Sequence, residues 1–147
     1  MISKVCCVVI LTLLLETVSA AEASDGYSPI SFVSIGQGSA SGIVDPREIV
    51  IQSEQEWWDL WKHHAPSGSP PPVDFATELV VGIFAGQRPT SGYQVQVVTV
   101  ERVGAETSVI YQIKSPPKDA LVAQVLTQPF HLIRLPRLGL PIRFKRR

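Results

Sequence analysis

The chain has no asparagine at all, and its one methionine is the first residue. Without asparagine there is no N-glycosylation acceptor. Cysteine is nearly as scarce: the two present, Cys6 and Cys7, are adjacent and lie inside an apolar run. That run, Val5 to Leu15, is broken only by Thr12, follows Lys4, and is followed by Val18-Ser19-Ala20. A basic start, a short apolar stretch and a small-x-small end form a secretory signal. The run is about eleven residues, against the roughly twenty that a bilayer crossing needs. Cys6 and Cys7 lie well upstream of the cleavage point, so they read as apolar filler rather than as a lipid-attachment site. The expectation is a cleaved signal over 1–20, a flexible leader over 21–30 and one domain over 31–147. Such a protein is exported, to the periplasm or the exterior, with no transmembrane segment left after cleavage. Its mature part has no thiol, so disulfides, thiolate nucleophiles and cysteine metal sites are excluded there. A core built from roughly 125 residues must hold the fold alone.

Charge is balanced overall, with 13 Lys and Arg against 13 Asp and Glu, but it is unevenly spread. From Asp45 to Glu78 acids dominate, while Arg134 to Arg147 carries Arg134, Arg137, Arg143, Lys145, Arg146 and Arg147 with no acid. A basic end of this kind can bind anions or simply stay solvated. Solvation is the simpler reading, and no nucleic-acid partner is expected of an exported chain.

The hydrophobic pattern is mostly of period two. Ser31–Ile35, Ile49–Gln52, Leu79–Ala85, Tyr93–Arg102, Val109–Lys114, Val122–Leu126, Phe130–Leu135 and Ile142–Phe144 read as strands. The unbroken apolar run Leu79–Ala85 predicts a strand covered on both faces. Gly36 to Gly42 reads as a flexible turn. One segment differs: Ser53 with Glu56 predicts a helix start, and Trp57, Leu60, Trp61 and His64 then share one face until Pro66. The spacing leaves Trp58 off that stripe. The fold class is therefore mainly β (α+β), an antiparallel sandwich-like or rolled sheet with one helix, about 54–64, packed on it.

Chemistry-bearing motifs are few. His63, His64 and His131 are the histidines, and no serine sits in a Gly-x-Ser-x-Gly elbow. Adjacent His63 and His64 diverge on a helix, and Asp59 with His63 gives two ligands without a third, so no metal or other cofactor is expected. Gly36-Gln37-Gly38-Ser39 lacks the Lys-Ser/Thr ending of a phosphate loop. No catalytic residue is assigned. A hydrolase would require one of the histidines to reach a serine or carboxylate in a concave site. The segment Gly86 to Tyr93 stands out instead. It holds Arg88, Pro89, Thr90 and Tyr93 between Gly86 and Gly92, where a tight hairpin needs two or three turn residues. It is either a rigid hairpin with Tyr93 stacked on it or a presented partner-binding loop rich in hot-spot residue types.

Several motifs occur in one order: Ser41-Gly42-Ile43, Trp57-x-x-Leu60-Trp61, Val73-Asp74-Phe75, Gly86-x-Arg88-Pro89-Thr90-x-Gly92-Tyr93, Pro116-Pro117 and Gln124-x-Leu126-Thr127-x-Pro129-Phe130-His131. From about Phe32 to the end the chain resembles the C-terminal domain family named for PrcB, a subunit of a bacterial surface protease complex. The resemblance implies a non-catalytic component that associates with and stabilises a protease complex. Its protein partner would then be a protease, and Trp57, Leu60, Trp61, Asp74, Phe75, Pro129, Phe130 and His131 would be motif and core positions. A protease inhibitor presenting a rigid loop is the alternative, and an envelope enzyme the second alternative. The chain departs from a surface-tethered subunit in having no lipid-attachment cysteine.

Overall fold

The computed structural model describes residues 26–139 and 141–147, so the signal segment and both cysteines lie outside the described residues. Among the described residues eight strands and a helix follow one another as β1 (Tyr27–Pro29), β2 (Val33–Gly38), β3 (Arg47–Ile51), α1 (Glu54–His64), β4 (Glu78–Phe84), β5 (Gln94–Val103), β6 (Glu106–Lys114), β7 (Phe130–Pro136) and β8 (Ile142–Arg146). They make two four-stranded sheets, ordered β1-β5-β6-β8 and β2-β7-β4-β3. The architecture is mostly β with one helix, as the pattern predicts. Pairing is antiparallel except between β6 and β8, which run parallel.

The alternation of side chains along β4 and β7 sorts the core into two layers. Leu79, Val81, Ile83, Ile133 and Leu135 meet Val95, Val97, Val100, Val109 and Tyr111 of the opposite sheet. Val80, Phe84, Phe130 and Leu132 face the other way, against Trp57 and Leu60 of α1. Both faces of β4 are thus buried, which is why its sequence is continuous rather than alternating. On β5 a bulge between Val97 and Thr99 inserts one extra residue. It shifts the parity, so that Val100 points inward like Val95 and Val97 while Val98 is exposed.

Helix α1 starts where its sequence says it should. Ser53 Oγ accepts from the Glu56 amide at 3.3 Å, and the Glu56 carboxylate reaches back to the Gln52 amide at 2.8 Å. Trp57, Leu60 and His64 are buried, Trp61 is half-buried and Trp58 is exposed. The proline-rich connector after the helix is not mere spacer, because the Trp57 indole N–H donates to the Pro71 carbonyl at 3.0 Å. Asp74 then opens the turn before β4, its carboxylate accepting from the Ala76 amide and the Thr77 hydroxyl, both at 3.0 Å. Phe75 packs on the helix cluster.

Three expectations change. Tyr27–Pro29, expected within a flexible leader, pairs with Glu101–Val103 as β1. Gly36 to Gly38, expected in a turn, belong to β2, where the absence of side chains gives the Phe130 ring its place beside Gly38. Val122–Leu126 forms no strand, because β7 is already flanked by β2 and β4. The segment is instead held by hydrogen bonds between Ala123 and Ser91, and just beyond it Thr127 and Gln128 form isolated bridges to Arg88 and Ala40. The basic end keeps Arg143, Lys145, Arg146 and Arg147 exposed, and the strand read at Ile142–Phe144 is present. Ile142–Arg146 joins the sheet, Arg143 and Lys145 pair with Glu106, and Arg134 pairs with Glu78.

Candidate functional site

The sequence Gly86 to Tyr93 does not close a hairpin. Strands β4 and β5 lie in different sheets, so this segment carries the chain across one end of the sandwich. Gly86 begins the crossing at φ +77, packed so closely on Pro46 that a Cβ would come within 2.8 Å of it. Arg88 turns back: its Nη2 donates to the Ala85 carbonyl at 2.9 Å, and its guanidinium stands 5.6 Å from the centre of the Tyr93 ring. Pro89 and Gly92 are exposed, while Thr90 and Tyr93 are half-buried.

A second segment, Ser115 to Pro129, is clamped along the first. The Arg88 and Thr127 amides each donate to the other's carbonyl, at 2.7 and 3.0 Å. Thr127 Oγ1 donates to the Thr90 carbonyl at 2.8 Å, and the Ala123 amide donates to Ser91 Oγ at 2.9 Å. The Pro129 carbonyl accepts from the Ala85 amide at 2.9 Å. Connections of this length without secondary structure are uncommon and tend to carry function. This one holds its backbone against the neighbouring loop while turning apolar side chains outward. Leu121 is fully exposed, Leu126 is 63% exposed and Val125 is 52% exposed.

Sequence reasoning missed Leu121, Val125 and Leu126, because reading Val122–Leu126 as a strand assigned its apolar side chains to the core. The signal available was Pro116-Pro117 just upstream, which argues for an irregular path. Beside the two segments lies a cavity of about 350 Å³, lined by Gln37, Gly38, Ser39, Gly92, Tyr93, Gln94 and Val95.

Each buried histidine meets a serine. His64 Nδ1 lies 2.9 Å from Ser41 Oγ, which also accepts from the Ile43 amide at 3.1 Å. The imidazole sits among Trp61, Phe84 and Phe130, its ring centre 4.4 Å from that of Phe130. The Gly42 amide closes the same corner by donating to the His64 carbonyl at 2.9 Å. This accounts for Ser41-Gly42-Ile43 as a motif: it seals the C-terminal end of α1.

His131 joins the two sheets. Its Nδ1 accepts from the Val97 amide at 2.8 Å, and its Nε2 lies 2.9 Å from Ser34 Oγ. With the Nδ1 lone pair taken by an amide proton, the ring proton sits on Nε2 and the imidazole donates to Ser34. In that tautomer it offers the serine no base. Burial pulls the pKa of both His64 and His131 below the usual value, favouring neutral rings. His63 is exposed on the helix, its Nδ1 2.8 Å from the Asp59 carbonyl, while the Asp59 carboxylate pairs with Lys62 at 3.0 Å. Among the described residues no three His, Cys, Asp or Glu side chains gather as a metal site.

Residues 79–136 match the family model described as PrcB C-terminal. No curated protein and no solved structure matches the chain. The matched span runs from the start of β4 to the end of β7, and so contains both clamped segments with Pro129, Phe130 and His131. Ser41-Gly42-Ile43, the α1 tryptophans and Asp74-Phe75 fall before it.

Proposed function

Taking as premise that residues 79–136 belong to the PrcB C-terminal family, we propose that this protein is an exported, non-catalytic accessory domain. It docks on a protein partner, a protease, through the end of the sandwich formed by Gly86–Tyr93 and Ser115–Pro129. The observation that carries this reading is the exposure of Leu121, Val125 and Leu126 on a backbone pinned by hydrogen bonds at Ser91, Arg88 and Thr90. Apolar side chains held outward on an ordered frame lose little entropy on binding and bury surface that water would otherwise cover. Pro89, Arg88 and Tyr93 add rigidity and a cation–π pair beside them.

The test is co-purification with the exported proteases of the source cell, comparing wild type with Leu121→Asp/Leu126→Asp. Loss of a co-purifying protease in the variant supports docking at this end. Equal recovery with both proteins, or none with either, counts against it. A second reading has its own support: Pro89 is exposed while hydrogen bonds on both sides fix the segment, as an inhibitor loop requires. Stoichiometric inhibition of a protease, lost when Pro89-Thr90 is replaced by Gly-Gly, is the outcome that would favour it.

A further inference from the structure

Beside Arg88 of the crossing loop, the sandwich opens where the edge strands β3 and β8 stand across from one another. A cavity of about 270 Å³ there is lined by Arg47 and Glu48 of β3, Tyr111 and Ile113 of β6, Arg146 of β8, and Arg88, over a floor that includes Phe84 and Ala85. Both sheets and the crossing loop contribute to it. Its lining holds three guanidinium groups and one carboxylate. Among the described residues none of the three arginines takes part in an ion pair, whereas Arg134 and Arg143 each have one. The single carboxylate is already engaged, since the Tyr111 hydroxyl donates to Glu48. Burial and that hydrogen bond push the Tyr111 pKa up to about 12, so the hydroxyl remains a donor and keeps Glu48 occupied. The Nε of Arg88 is buried and has no hydrogen-bond partner in the protein. The rest of the half-buried Arg88 guanidinium is engaged through Nη2, which donates to the Ala85 carbonyl, and it lines the cavity.

We propose that this cavity is an oxyanion-binding site, taking a carboxylate or phosphate group between Arg47, Arg88 and Arg146. Guanidinium groups recognise both anions through paired N–H donors. The volume suits one such group with a short stem. The site shares Arg88 with the crossing loop, but small ions report on it without any protein partner.

The experiment titrates the exported chain with succinate and, separately, with inorganic phosphate, each against chloride of matched ionic strength. Backbone amide shifts in NMR and isothermal calorimetry are the readouts. Saturable shifts centred on Arg47, Arg88 and Arg146 are expected with one or both anions, and the anion that saturates names the source. Arg47→Gln/Arg146→Gln should weaken binding at least about tenfold, the scale of losing charge-assisted hydrogen bonds. Glu48→Gln should tighten it by removing the only negative group. Melting curves for both variants verify folding, and Arg88 is left intact because it also holds the Ala85 carbonyl. No saturation by either anion beyond the chloride control, or equal affinity in the double variant, overturns the site.

Discussion

Two sets of apolar side chains in this protein meet opposite fates. Trp57 and Leu60 lie at helical spacing on α1 and are buried against β4 and β7. Leu121, Val125 and Leu126 lie in a similarly apolar stretch and face solvent. Residue type does not separate them. What separates them is whether the backbone beneath has a regular partner that turns the side chains inward. Helix α1 satisfies its own amides and can lay a stripe on the sheet. The segment before β7 finds both edges of that strand taken, and its amides bond to loop carbonyls and hydroxyls instead. The buried set holds the fold together, and the exposed set is available for contact.

The contrast can be broken from the buried side first. Trp57→Ala should cost about 3–5 kcal/mol, as for a large aromatic removed from a packed core, and the loss of the bond to Pro71 should also loosen the proline connector. Denaturant unfolding followed by fluorescence of the remaining Trp58 and Trp61 measures it, and a cost near zero would mean that α1 does not anchor the sheet. Gly86→Ala comes next. A Cβ there must tolerate φ +77 and a 2.8 Å approach to Pro46, a strain of about 1–3 kcal/mol. It acts at the hinge of the exposed region, so binding should fall along with stability.

Acid should have a smaller effect, shared between the layers. His64 and His131 have pKa values lowered in the folded chain. Below about pH 6.5, the ordinary histidine value, the unfolded chain therefore binds more protons than the folded one. Stability is fully present above that pH and declines as pH falls through the lowered folded values. Guanidinium midpoints at pH 7.5 and 5.0 should differ in that direction, and His131→Gln should narrow the gap. An unchanged midpoint would place neither ring in a buried neutral state. Smallest for stability is Leu121→Ser, expected within about 0.5 kcal/mol of wild type. Its partner binding should nonetheless drop, and a variant that binds normally would take the exposed segment out of the interface.

Much of the fold can be read from residues. Leu79–Ala85 announces a doubly covered strand, Tyr93–Arg102 and Val109–Lys114 alternate as a hairpin does, and Ser53 with Glu56 marks the start of α1. The places where reading fails share one cause. Gly36–Gly38 look like a turn because glycine is permissive, yet they make an edge strand whose missing side chains receive Phe130. Val122–Leu126 look like a strand because they are apolar and partly β-branched, yet both edges of β7, the strand that follows them, are already paired with β2 and β4. Gly86–Tyr93 could be seen as an interface loop, with Arg88, Pro89 and Tyr93 in hand. That it crosses between sheets, and that Ser115–Pro129 lies clamped beside it, could not.

The sequence by itself determined the strand-rich composition, the single amphipathic helix and the thiol-free character of everything after Cys7, because local periodicity and residue chemistry need no partner. Only the tertiary structure decided which strands share a sheet, which apolar residues stay in water and which arginines converge on one opening. Those outcomes depend on competition among distant segments for a limited number of hydrogen-bonding edges and buried faces.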